Sequence, residues 1–252
     1  MTDPYRTGSF RRRLRVVVRD PRLVVGGLED DFHYFQVDLR HDGERVEAVE
    51  ARSIRWPWTT CPGAAEPLRA LAGMPLSPRC LAVGDWADPR LSCTHMFDLA
   101  GLAVAHAARG GPPGTTRQYD LQIPAGAQLG GRHTVRLWRD GVERLTWVLD
   151  GRTCVDPPPF SETRWRGGFL RWADQNLSVD DAEAAIVLRR ACDIGMGRGM
   201  DLDAVPSAVD IVDVQGAICH TMQPGTVEVS LRNRGTIRDF DADPDQLLAE
   251  GP

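Results

Sequence analysis

Two blocks of period-two hydrophobicity, separated by segments of helical period, limit the fold more than any other feature of this chain. In the first block, from Ser9 to Trp58, Leu14, Val16 and Val18 alternate with other residues, Phe35, Val37 and Leu39 do the same, and Val46 and Val49 resume after the turn His41-Asp42-Gly43. Alternation of this kind places one set of side chains on one face of a pleated strand, and the short connections predict an antiparallel meander. The second block runs from Gln118 to Val155. Tyr119, Leu121 and Ile123, then Val135 and Leu137, then Leu145, Trp147 and Leu149 alternate around the turns Gly130-Gly131 and Asp140-Gly141.

The segments between and after these blocks read as helix. Cys61-Pro62-Gly63 leads into Ala64, Ala65, Leu68, Leu71 and Ala72, which recur at helical spacing until Gly73 and Pro75. Cys93-Thr94 opens a second helix, in which His95, Leu99, Leu102 and His106 share one face. Glycine and proline from Gly110 to Gly114 break it. A third helix is expected from about Val179 to Cys192, with Ser178 as N-cap and Asp181 at the capping-box distance, and Gly195 to Gly199 as its stop. Ala217 to Leu231 reads as one or two strands around Pro224-Gly225, ahead of an acidic tail. The expected fold class is therefore α+β, an antiparallel three-stranded meander followed by helices, with an inserted antiparallel β lobe. It is expected as a single domain over 1–252, with a core at 9–109, the β insertion at 115–156, and a helix and C-terminal strands at 160–250.

Composition removes several kinds of chemistry. All 30 basic residues are arginine, a composition typical of a high-GC bacterium. Without lysine there is no Schiff base, hence no pyridoxal-phosphate enzyme, and no Walker lysine for nucleotide phosphates. A net charge of −5 argues against nucleic acid as a partner. The run Arg11-Arg12-Arg13-Leu14-Arg15 is expected on an edge strand with its charges turned to water. The longest apolar run, Leu99 to Ala108, is interrupted by Gly101 and His106 and falls far short of the roughly 20 residues that span a bilayer, so no membrane association is expected. Six cysteines without regular spacing fit reduced thiols, and the N-terminal segment has no apolar signal core, so the expected location is the cytoplasm.

Those cysteines lie beside histidines. Cys93 stands at the mouth of a helix, where unsatisfied amide N–H groups and the positive end of the dipole favour a thiolate, and His95 follows two residues on. Cys61 has the same position at the start of its own helix. His33, in Asp30-Asp31-Phe32-His33, opens a strand and can supply an imidazole if the meander brings it to the helix mouths. Cys219-His220 is a second adjacent pair, read mainly as a strand with the cysteine facing the core, while Cys80, Cys154 and Cys192 read as packing residues. Trp56-Pro57-Trp58, just before Cys61, would suit an apolar or aromatic substrate.

The segments Phe32-His33, Trp56-Pro57-Trp58-Thr59-Thr60-Cys61-Pro62-Gly63-Ala64, Ser92-Cys93-Thr94-His95-Met96, Cys219-His220-Thr221-Met222-Gln223-Pro224 and Arg238-Asp239-Phe240 resemble, in order and spacing, the bacterial family called domain of unknown function 2889. A more distant likeness is to the iron–sulfur scaffold fold of NifU-like proteins. Cys61 and Cys93 would hold two of its cysteine places, Asp30 to His33 stand where its first cysteine falls, and Ser92 stands where it has histidine. That likeness implies that His33, Cys61 and Cys93 converge at one end of the sheet.

Together these readings predict a catabolic enzyme for a small molecule, a lyase or hydrolase. One zinc or iron ion would be held by His33, Cys61 and Cys93, with His95 as general acid/base or fourth ligand. A metal-free variant makes Cys93 the nucleophile and His95 or His33 its base. The rival expectations are a metal or iron–sulfur carrier without turnover and a non-catalytic ligand-binding protein, with a homodimer compatible with each. A shared tetrahedral ion would need the sulfurs of Cys61 and Cys93 within about 4 Å of each other.

Overall fold

The computed structural model describes residues 7–126, 131–151, 153–163 and 167–252. Its strands are β1 (Ser9–Asp20), β2 (Leu23–Asp30), β3 (Tyr34–His41), β4 (Val46–Arg55), β5 (Thr116–Pro124), β6 (Arg132–Arg139), β7 (Val142–Asp150) and β8 (Thr153–Asp156). The longer helices are α1 (Thr94–Arg109), α2 (Phe169–Asn176) and α3 (Val179–Gly195). The strands hydrogen bond as one antiparallel sheet in the order β4-β3-β2-β1-β5-β6-β7-β8.

This overturns the expected three-stranded meander with a separate β lobe. The meander has four strands, and the strands expected as an insertion continue the same sheet. The strand missed in the sequence is β2. Its residues are buried almost without interruption from Val24 to Asp30, so it lacks the alternation of a half-exposed strand, and Gly26-Gly27 weakens its strand signal further. Strand order also corrects the arginine run, because β1 lies between β2 and β5 and is no edge. Arg11 donates to Asp241 at 2.9 Å, Arg13 donates to Asp120 at 2.6 Å, and the buried Arg12 guanidinium lies 5.4 Å from the Phe10 ring centroid.

By packing, the chain divides into two compact units. One comprises Leu14–Arg117, Leu202–Arg238 and Leu248–Pro252, and the other Met1–Arg13, Gln118–Asp201 and Asp239–Leu247.

In the first unit, α1 packs on β2 and β3, whose Phe35, Val37 and Leu39 are fully buried. Glycine allows the close approach. A Cβ at Gly26 would meet Leu99 at 3.0 Å, and one at Gly101, within α1, would collide with the main-chain oxygen of Cys80. The segment Cys61–Leu71, expected as an ordinary helix, is a 3-10 helix. Pro62 at its start and Pro67 inside it lack the N–H that an α-helical ladder would use. The strands expected between Ala217 and Leu231 are 3-10 turns, His220–Met222 and Val227–Val229, joined to the rest by isolated bridges such as Trp58 with Arg232. Their main-chain bonds are local, as in Met222 N–H to Cys219 O at 3.0 Å, which leaves little for a ladder.

In the second unit, β6 and β7 turn through Asp140 (φ 53°) and Gly141 (φ 78°), both left-handed as a two-residue hairpin requires. Gly130 of the other expected turn lies outside the described residues. Trp147 is fully buried, with its ring 4.9 Å from Phe160 and 5.6 Å from Phe169. The Ser178 hydroxyl accepts the Asp181 N–H at 3.2 Å, so α3 begins where its cap predicts. Among the described residues no helix is long and apolar enough to cross a membrane.

Candidate metal centre

The centre begins with the turn between β2 and β3. Asp30 is fully buried, and its Oδ1 accepts the main-chain N–H of Phe32 at 2.8 Å and of His33 at 2.9 Å, an arrangement that folds the turn back on itself. The same oxygen lies 2.9 Å from His33 Nδ1. Because a carboxylate oxygen accepts, Nδ1 carries the proton, and whenever the ring is neutral its lone pair is on Nε2. One Asp30 oxygen thus satisfies three donors and sets both the orientation and the tautomer of His33.

The second half comes from α1. Cys93 is extended (φ −68°, ψ 126°) and caps the helix, and Phe97 N–H reaches its carbonyl oxygen at 2.9 Å. His95 follows in the first turn, with Nδ1 3.6 Å from Cys93 Sγ. Its ring lies against that of His33, centroids 4.0 Å apart and planes tilted by 31°. Phe35 flanks both imidazoles, at 5.6 Å from His33 and 5.7 Å from His95, and gives the pair one apolar wall.

Asp30, His33 and His95 therefore each offer a ligand atom, and these atoms lie within 4.8 Å of one another. Among the described residues no other set of three or more histidine, cysteine or acidic side chains converges in this way, including the expected set His33, Cys61 and Cys93. The participant missed in the sequence is Asp30. Its signal was present, since an aspartate three residues before a histidine at a strand opening can cap the turn and hold the ring together.

Cys61 begins its 3-10 helix inside an apolar cluster with Trp58, Ile211, Met222 and Val227, against which Cys219 packs. Its Sγ is 3.6 Å from Thr221 Oγ1. The Thr221 hydroxyl in turn is 3.1 Å from Thr60 Oγ1. His220 N–H donates to Ser92 O at 3.0 Å, tying the Cys219 turn to the segment before Cys93. Trp58 is a buried member of this cluster, 5.8 Å from the Arg232 guanidinium carbon, and presents no open aromatic wall. His106 is buried, with Nε2 3.2 Å from Thr115 O, so it serves the end of α1.

Burial decides the protonation of these thiols. It pushes Cys61 up to about 11 from an ordinary 9.0, against the opposing effect of Thr221, and it raises Cys93 well above its ordinary value, with Cys61 and Cys219 adding to the rise. Cys219 is raised for the same reason. Desolvation thus outweighs the helix mouth that the sequence suggested would favour a thiolate. The sign follows. An unfolded chain releases these protons near pH 9, whereas the folded chain holds them until about pH 11 at Cys61, so stability is full below pH 9 and falls between the two. Urea melts are expected to lose up to about 1.4 kcal/mol per pH unit for each such thiol above pH 9. Midpoints unchanged between pH 8.5 and 10.5 would contradict this.

Compared with known proteins, the chain matches no protein-family model and no curated protein.

Proposed function

We propose that this protein is a metal-dependent enzyme for a small molecule, a hydrolase or lyase, whose centre is Asp30, His33 and His95. The observation that carries this reading is the convergence of the three side chains in a buried setting. The two imidazoles would hold the ion. Asp30 Oδ1 already accepts three N–H groups, so Asp30 acts as the carboxylate that orients His33, a partnership common behind metal-bound histidine. Two protein ligands leave coordination positions for water and substrate, as a Lewis-acid centre requires. The apolar ring of Phe35 beside them would strengthen the field of the ion on a substrate oxygen.

A metal-free enzyme with Cys93 as nucleophile and His95 as base has one observation in its favour, the 3.6 Å approach of Sγ to Nδ1. The raised pKa of Cys93 weighs against it, because the nucleophile is the thiolate.

Metal analysis separates the two. Protein purified without chelator and reconstituted with zinc or iron(II) under anaerobic conditions is expected to retain about one equivalent per chain, as one centre implies. Retention below a tenth of an equivalent of every transition metal tried would sink the metal reading.

A further inference from the structure

The turn that carries Asp30 and His33 is gripped by a single guanidinium. Arg55 is the last residue of β4, paired in register with Tyr34, and only 10% of its side chain is exposed. Its Nη2 donates to Asp30 O at 2.6 Å and to His33 O at 3.2 Å, and its Nη1 donates to Asp31 O at 3.1 Å. Three of the four carbonyls between residues 30 and 33 therefore face one side chain. Nη2 also lies 3.1 Å from Glu29 Oε1, and Nη1 reaches Thr236 O at 3.0 Å. The other Glu29 oxygen accepts Leu248 N–H at 2.8 Å, and Arg238 N–H donates to Asp31 O at 2.8 Å.

These bonds act on geometry more than on burial. Carbonyl directions fix the peptide planes of the turn, and the peptide planes fix the Cα–Cβ direction from which the His33 ring reaches Asp30 and His95. His95 comes from a different element, so the spacing of the two imidazoles depends on how the turn is held against α1. A planar fork with several donors can hold three carbonyls at once, whereas an ammonium is a compact charge on a flexible stem.

We propose that Arg55 is a positioning residue of the Asp30, His33 and His95 centre, setting the aim of the His33 ring through the carbonyls of its turn. This rests on reading that centre as a metal site. Arg55 touches no reacting atom, and its effect is on ligand geometry, as outer-shell partners of metal-bound histidine act.

The test is a cobalt(II) chloride titration of the full chain, read by the ligand-field absorption of the bound ion, for wild type, Arg55→Lys and Arg55→Met. Arg52→Met serves as control, since Arg52 is exposed and bonds Asp38 instead of the turn. The expected result is a wild-type spectrum in the control and, for folded Arg55→Lys, affinity weaker by about 10- to 100-fold with an altered band shape. Folded Arg55 variants with wild-type affinity and spectrum would overturn the proposal. So would failure of both variants to fold, because Arg55 would then be a folding residue. Wild-type protein that takes up no cobalt would remove the metal centre itself, a result visible before any variant is compared.

Discussion

His33→Ala is expected to abolish stoichiometric metal uptake, weakening cobalt or zinc binding by more than about 100-fold, beyond what loss of an outer-shell partner costs. The imidazole both bonds Asp30 and stacks on His95, so alanine would remove one proposed ligand and the ring packed against the other. Asp30→Asn is the informative companion. The asparagine oxygen can still accept the N–H groups of Phe32 and His33 that fold the turn, but it loses the charge that holds the His33 Nδ1 proton. A drop of about 10- to 100-fold in affinity, with thermal stability near wild type, is the expected outcome for Asn. Calorimetric titration with zinc checks both variants. If His33→Ala bound metal as wild type does, the ion would sit elsewhere, and the thiols of Cys61, Cys93 and Cys219 would be the next place to look.

Gly101→Ala sets two effects against each other. Alanine is the better helix former by about 1 kcal/mol, which alone would stabilise α1. Its Cβ, however, would strike the main-chain oxygen of Cys80, and the second nearest atom is that residue's carbonyl carbon at 3.2 Å. A backbone carbonyl cannot rotate aside as a side chain can, so relief requires α1 and the 3-10 helix Cys80–Asp85 to separate. Overpacking of this kind costs about 1–3 kcal/mol, and rigid backbone puts it at or above the top of that range. The clash should win by about 2 kcal/mol, lowering the melting temperature by about 6 °C for a chain of this size. A melting temperature equal to or above wild type would show that the two helices part freely. Because His95 and Cys93 ride on α1, the same substitution is expected to weaken metal binding as well.

The fold was legible where burial was one-sided. Phe35, Val37 and Leu39 announced β3, and Asp140-Gly141 announced a hairpin whose residues adopt the left-handed backbone it needs. The same rule failed for β2, since a strand covered on both faces has no polar alternation to detect. Helix starts were read well from Ser178 and Cys93, which cap α3 and α1. Helix type was misread at Cys61–Leu71, where spacing suggested an ordinary helix and Pro67 interrupts the α-helical ladder. For the site, residue chemistry drew attention to His33, His95, Cys61 and Cys93. It could not measure convergence, which depends on how a β turn and a helix start meet. Nor could it anticipate that burial would outweigh the helix mouth at Cys93. The contacts of Arg55 are to main-chain carbonyls, which sequence patterns do not display.

The strand order leaves the sheet with two outer strands, β4 and β8, and each is guarded against further growth. Along β4, Val46 already exchanges main-chain bonds with Gly73 and Met74, and beyond it Glu47, Glu50 and Arg52 stand exposed at intervals that keep charge along the rim. On the other side β8 is four residues long and ends before Pro157, which has no N–H to offer a newcomer. Neither rim is a ready template for a strand from another chain. Crowding at high concentration should therefore not draw the protein into ribbon-like polymers by strand addition at β4 or β8.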